Sequence, residues 1–254
     1  TTLQTNASGN ITVPNLYEGY YAVYIGKWGY KKVCLSNQYL VTAGNPYTYQ
    51  MDKGYEDDFR FDLGWSISGN PGSGDWERDL PNGTSYNGDA SNPGVDSPND
   101  CSEKAFVTGN DGGQAGNDDI DGGETVLTSP TFDLSSYNDP YISFDRWFFN
   151  AGGTGTPNDS LVIEILNGSS VVQIDFADVN TTNANSWSSM NVILNNFTTL
   201  TSNMQLRVRA MDNASGHLAE AGFDNFKIID NNPVGINKLA LKNELSIYPN
   251  PFNS

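Results

Sequence analysis

The chain has little of what most metal-dependent and nucleic-acid-binding chemistry requires. It carries one histidine and two cysteines in 254 residues. That excludes zinc fingers, His-rich metal clusters and scaffolds held by many disulfides. Basic residues are scarce as well: 13 Lys and Arg against 30 Asp and Glu leave a net charge of −17. Such a balance repels phosphate backbones and anionic lipid, so no nucleic-acid partner is expected. No apolar run reaches the roughly 18–20 residues that span a bilayer, so no membrane insertion is expected either. The first residues contain no signal-peptide pattern. Charged residues amount to 17%, below the roughly 25% of ordinary soluble domains, yet mean hydropathy is −0.47. Asn, Ser, Thr and Gly supply the missing polarity. Aromatics reach 12%, which provides the large side chains that a packed core needs and a disordered chain lacks.

What is present is a succession of short apolar runs separated by turn residues. Residues 20–25, 30–33 and 38–41 read as strands, as do 63–67, 125–128, 141–149, 160–166, 171–176, 190–194, 204–210 and 222–229. In 204–210, Gln205, Arg207 and Arg209 alternate with Leu206, Val208 and Ala210, giving one wet face and one dry face. No helical crossover is available to build a parallel sheet, so an all-β antiparallel sandwich or jelly roll is expected. Residues 69–123 are dominated by Gly, Asn, Asp, Pro and Ser, interrupted at 75–78 and 104–107. A stretch of that length is expected to be a functional loop or one ordered by a ligand or metal. Cys34 and Cys101 either form one bridge in an oxidising compartment or lie apart as buried small hydrophobes; their spacing leaves both open.

Three segments resemble known families. The tail Leu245-Ser-Ile-Tyr248-Pro249-Asn250-Pro251-Phe252 resembles the opening of the type A C-terminal sorting domain read by the type IX secretion system of Bacteroidetes. The likeness implies a parent protein truncated here, exported through the outer-membrane secretion machinery and then released or held on the cell surface. Thr5-Asn-Ala-Ser-Gly9-Asn10-Ile-Thr-Val-Pro14, with Gly19-Tyr-Tyr-Ala-Val and Gly29-Tyr30, resembles a carboxypeptidase regulatory-like domain lacking its first strands. Asp57-Asp58-Phe59, Gly64-Trp65, Gly74-Asp75-Trp76-Glu77-Arg78, the 127–134 segment, Arg146-Trp147-Phe148-Phe149-Asn150 and Glu220-Ala-Gly-Phe-Asp224 are similar to a MAM-like jelly roll. That module recurs in Bacteroidetes surface proteins, secreted peptidases and the cleaved adhesins of gingipains, and its members are mostly non-catalytic and often hold structural calcium. The resemblances imply a partial transthyretin-like β-sandwich over 1–53, a jelly-roll β-sandwich over 54–231, a linker over 232–243 and the start of the sorting signal over 244–254. The implied whole is a non-catalytic accessory or adhesion region of an extracellular protein whose catalytic domain, a peptidase, lies outside the chain.

The sharpest local signal is Asn117-Asp-Asp119-Ile-Asp121-Gly122. Carboxylates and an amide on alternate residues before a glycine match the first half of an EF-type calcium loop, since calcium takes six to eight oxygens. The twelfth position would be Thr128 rather than a bidentate Glu, so further ligands must come from elsewhere; Asp57 or Asp58 and Asp224 are the natural donors. A solvated acidic turn is the competing reading. Trp76, set in a polar stretch beside Glu77 and Arg78, is a candidate for binding a glycan or a host or matrix protein, whereas Trp65, Trp147, Phe148, Phe149 and Trp187 read more readily as core. His217 and Glu220 have the H-x-x-E spacing of zinc carboxypeptidases, but no second histidine exists to complete a catalytic zinc, and His217 is expected as a loop residue beside a strand carboxylate. No G-x-S-x-G elbow accompanies any serine. Glu77, Asp79, Glu164 and Glu220 are the acids to inspect as a glycosidase pair. Eight N-x-S/T sequons arise by chance in so Asn-rich a chain. Asp159-Ser160-Leu161 matches a short Bacteroidetes O-glycosylation pattern at Ser160, while Asp159 serves equally as a turn or calcium residue.

Overall fold

Met204, Leu206, Val208 and Ala210 are buried while Gln205, Arg207 and Arg209 between them are half-buried. A period of two with one covered face requires a sheet under another layer, and the segment is strand β14 (Met204–Asp212). A computed structural model of the chain describes residues 2–98, 100–153, 155–181, 185–213 and 216–231. The expected linker and sorting-signal start lie outside them. β14 is central in a five-stranded sheet ordered β12 (Ser170–Asp178), β11 (Ser160–Asn167), β14, β9 (Gly123–Thr128), β4 (Ser66–Gly69). The facing sheet is six-stranded and runs β13 (Ser188–Ile193), β10 (Pro140–Ala151), β15 (Leu218–Asp230), β8 (Ala105–Thr108), β5 (Trp76–Asp79), with β3 (Tyr55–Asp57) also paired to β15. The pairings within both sheets are antiparallel. The molecule is an antiparallel jelly-roll β-sandwich.

Between the sheets lie Phe144, Phe148, Phe223 and Phe226 from one side and Leu127, Leu161, Ile163, Leu206 and Val208 from the other. Each such side chain contributes about 1.5–3 kcal/mol through burial. Arg146 on β10 meets Asp175 on β12 at 2.5 Å, so a largely buried ion pair also joins the sheets. The register of β10 on β15 slips between Ser143 and Asp145, and Asn225 sits at φ 53° in the left-handed region. This bulge lets Phe223 and Phe226, three residues apart, both face the core and leaves Asp224 on the outer face.

Residues 1–53 contribute a two-stranded hairpin, β1 (Gly19–Ile25) with β2 (Val33–Leu40). It is attached to the sandwich at four points. Trp28 stacks on Phe226 with centroids 5.8 Å apart and its Nε1–H donates to the Thr131 carbonyl. Arg60 lies over the Tyr24 ring, Lys32 pairs with Asp58 at 2.6 Å, and Cys34 and Cys101 form a disulfide with Cα atoms 6.4 Å apart. The bridge realises the first of the two options the spacing left open.

The long polar stretch is not structureless. It supplies β5 and β8 at the two interruptions visible in the sequence, and the short hairpin β6 (Ser85–Tyr86) with β7 (Asp89–Ala90). The segment around Ser91 and Val95 folds over the outer face of the six-stranded sheet as a third layer, while Ile120 packs into the main core. Trp147 and Trp187 meet edge to face at 6.0 Å and donate to the carbonyls of Ser91 and Val95. Phe149 and Leu218 pack with Ala115 and Tyr86 in a second, smaller apolar cluster. Gly222 permits this cover, because a Cβ there would come within 2.7 Å of the Trp187 ring.

Candidate metal centres

Trp76, read from sequence as a ligand-binding aromatic, is a core residue. It is 1% exposed, and its Nε1–H donates to the Thr125 carbonyl. β5 is an outer strand of its sheet, and its inward face carries the indole; the polar neighbours that made it look like a loop residue occupy the alternate positions. Arg78 spends its guanidinium on the carbonyls of Phe59 and Arg60, so only Glu77 of that trio is exposed. Ser160 is buried at the start of β11, where a glycan has no room in the folded chain.

The five residues proposed as calcium ligands fall in two places. Asp224 gathers with Asp96 and Asp100, one carboxylate oxygen from each lying within 4.8 Å of the others. Asp224 accepts hydrogen bonds from the backbone N–H groups of Ser97 and Asn225. Asp145, its neighbour across the β10–β15 pair, accepts from the Ser97 hydroxyl and the Asn225 amide. Asp58 faces the same cluster and raises Asp96 and Asp100 by its charge, while its own carboxylate is held by Lys32. Burial first, and then Asp96, pushes Asp224 well above the usual carboxylate range. Burial and Asp96 push Asp100 up to about 7. Asp96 Oδ1, Asp100 Oδ2 and Asn225 Oδ1 are shielded from water with no hydrogen-bond partner among the described residues. Uncompensated oxygens of this kind are what an oxygen-loving cation satisfies.

Asn117, Asp119 and Asp121 lie elsewhere. Ile120 N–H donates to the carbonyl of Ala219, five residues before Asp224 on β15, which at the rise of a strand puts the two groups roughly 16 Å apart. The turn is tied internally: Ser73 Oγ–H bonds both the Asp119 carbonyl and the Asp121 carboxylate. Asp119 is pushed up to about 7, chiefly by burial and then by Asp121 and Asp212. Gly122 N–H donates to Asp212 at 2.6 Å, and Asp212, Asp159 and His217 form a second group with ligand atoms within 4.8 Å. Sequence reasoning missed Asp96, Asp100 and Asp212. Their one signal was position, two acids four apart beside Cys101 and one acid closing the alternation of β14.

The acids considered as a hydrolytic pair do not face one another. Glu164 is bound to Arg207 at 2.7 Å, Asp79 to Lys104 at 2.7 Å, and Glu220 is buried against the Thr108 hydroxyl. The acids grouped with His217 are Asp159 and Asp212, not Glu220.

No family of known proteins matches the sequence, and no curated protein does. Solved structures are similar in shape. The K1 cleaved adhesin domain of Lys-gingipain from Porphyromonas gingivalis W83 covers 71% of this chain and 99% of its own, at 13% identity and a TM-score of 0.44. A structure of promiscuous carbohydrate-binding modules of the β-sandwich superfamily covers 89% and 80%, at 12% identity and 0.45. The family 11 carbohydrate-binding module from Clostridium thermocellum, solved with a β-1,3-1,4-mixed-linked tetrasaccharide, covers 68% and 93%, at 18% identity and 0.36.

Crowded carboxylates set the sign of the pH response. Asp57, Asp100 and Asp119 each rise to about 7 in the fold, against roughly 3.9 in an unfolded chain. Between those values the folded chain holds protons that the unfolded chain has released, so stability falls as pH rises. In chelator, the melting temperature is expected to drop between about pH 5 and pH 7.5. A flat or rising profile in thermal unfolding contradicts the burial of these acids.

Proposed function

We propose that the chain is a non-catalytic accessory module of a secreted or surface-anchored protein, whose outer loop is fixed by structural calcium at Asp96, Asp100 and Asp224. The observation that carries this reading is the convergence of three carboxylates at the junction of the covering loop and β15, two of which, Asp96 and Asp100, each have a shielded oxygen without a partner among the described residues. Calcium takes six to eight oxygens, and carbonyls and water complete such a set. Extracellular calcium, near millimolar, saturates even a weak site of this kind. The Cys34–Cys101 bridge supports the same compartment, because disulfides persist where the environment is oxidising. The resemblance of residues 245–252 to a type A sorting signal extends the reading to export by the type IX machinery, and the accompanying modules point to a peptidase as parent.

A carbohydrate-binding role has one observation in its favour, and it is not at Trp76. Tyr20 and Tyr39 stand side by side on the hairpin, 70% and 50% exposed, with ring centroids 4.8 Å apart. An exposed aromatic pair is the stacking surface a sugar ring uses. Binding to a panel of soluble glycans, weakened at least tenfold in Tyr20→Ala with unchanged melting, would establish it. A panel with no binding at millimolar glycan would remove it.

The calcium reading is tested by thermal unfolding. A site saturated a hundredfold above its Kd adds about 2.7 kcal/mol, or about 5–10 °C for a chain of this size. That rise is expected on titrating calcium into chelator-treated protein, and Asp224→Asn is expected to abolish it. No calcium-dependent shift in the unsubstituted chain contradicts the proposal.

A further inference from the structure

The charged cluster at the opposite stretch of β15 differs from the first in one respect: it contains the chain's single histidine. Asp159 precedes β11, Asp212 ends β14, and His217 precedes β15. Two of these strands belong to the five-stranded sheet and one to the six-stranded sheet. All three side chains are buried, His217 to 3% exposure. Among the described residues neither ring nitrogen of His217 has a hydrogen-bond partner. Nδ1 lies 3.3 Å from Asp159 Oδ2 but is misaligned for a hydrogen bond to it. A buried imidazole without partners is costly, and this one is aimed at two carboxylates.

The carboxylates are positioned by other groups. Asp159 accepts from the Asn150 amide and from Asn213 N–H, and Asp212 accepts from the N–H groups of Gly122 and His217. Outer hydrogen bonds of this kind orient metal ligands and leave their remaining lone pairs free. A tetrahedral ion with bonds near 2.0–2.1 Å holds its ligand atoms about 3.3 Å apart, which is the spacing between His217 Nδ1 and Asp159 Oδ2. Asp212 also lines an open depression of about 260 Å³ with Asn70, Glu124 and Asn213.

We infer that Asp159, Asp212 and His217 form a binding site for a divalent transition cation of the zinc class, with water completing the coordination. Imidazole selects this class over calcium, which prefers oxygen throughout. Such an ion clasps the two sheets at one end of the sandwich, drawing together the ends of three strands that no backbone hydrogen bond joins across the layers. The site is separate from the proposed calcium cluster and does not rest on it.

The test uses the full chain, chelator-treated and labelled with nitrogen-15 at histidine, so that the ring signals report on His217 alone. Titration with Zn²⁺ is expected to move those signals at one equivalent per chain, while millimolar Ca²⁺ leaves them in place. Asp212→Asn is expected to weaken Zn²⁺ at least tenfold, and Asp224→Asn to leave the response intact. If Asp212→Asn fails to fold, the titration of the unsubstituted chain decides. Ring signals unmoved by Zn²⁺, zinc bound with the ring unmoved, or Ca²⁺ shifting the ring to the same extent would each overturn the site. A zinc response without any calcium-dependent melting shift supports this site while removing calcium from the reading above.

Discussion

Burial of carboxylates under a covering loop is the constraint around which this structure is arranged. An acidic chain has ample water in which to disperse its charge, yet Asp145, Glu220 and Asp224 are buried on the six-stranded sheet, and the loop brings Asp96 and Asp100 down onto Asp224. The desolvation penalty for a buried ion is several kcal/mol unless it is paired or hydrogen-bonded. Part of it is offset locally: Ser97 and Asn225 bond Asp224 and Asp145, and Thr108 bonds Glu220. The remainder leaves two solutions, a proton or a cation. For Asp100 and Asp119, which rise to about 7, a proton is the weaker option at the pH of most extracellular fluids, and the calcium proposed above is the alternative.

The attachments of the loop follow from the same need. Asp100 adjoins Cys101, and the disulfide carries that end of the loop to the N-terminal hairpin. Lys32 on the hairpin comes with it and places the one nearby ammonium against Asp58. Trp147, Trp187 and Phe149 give the loop apolar anchors, and their indole N–H groups bond loop carbonyls that would otherwise be orphaned. The covering layer is thus held at its apolar and covalent points by the protein and at its acidic point by whatever neutralises the carboxylates.

Period-two alternation made β14 legible in the sequence, because it presents one covered face and one half-covered face, while β10 and β11 showed as apolar runs bounded by turn residues. Even β5 and β8 showed as interruptions of the polar stretch. The same rule was read too locally at Trp76: its polar neighbours are strand alternation, and what decides its burial is β9, some 50 residues away, whose Thr125 receives the indole. The acidic centres were only half legible. Asp224 and Asp119 stood out as local patterns, but their partners are brought together by topology. Asp96 and Asp100 reach Asp224 across more than a hundred positions, and Asp212 and Asp159 converge on His217 through the ends of adjacent strands. The β-bulge at Asn225, which turns Asp224 outward, has no signature in a sequence that otherwise reads as a plain strand.

The claim that cations organise the covering loop is tested most directly by amide hydrogen exchange with and without calcium. The account expects chelation to erase protection across residues 83–101 and around Asp224, while the amides of β11 and β14 keep theirs. Uniform protection of loop and core in both conditions would contradict it, and would show that apolar anchors and the disulfide suffice to hold the layer in place.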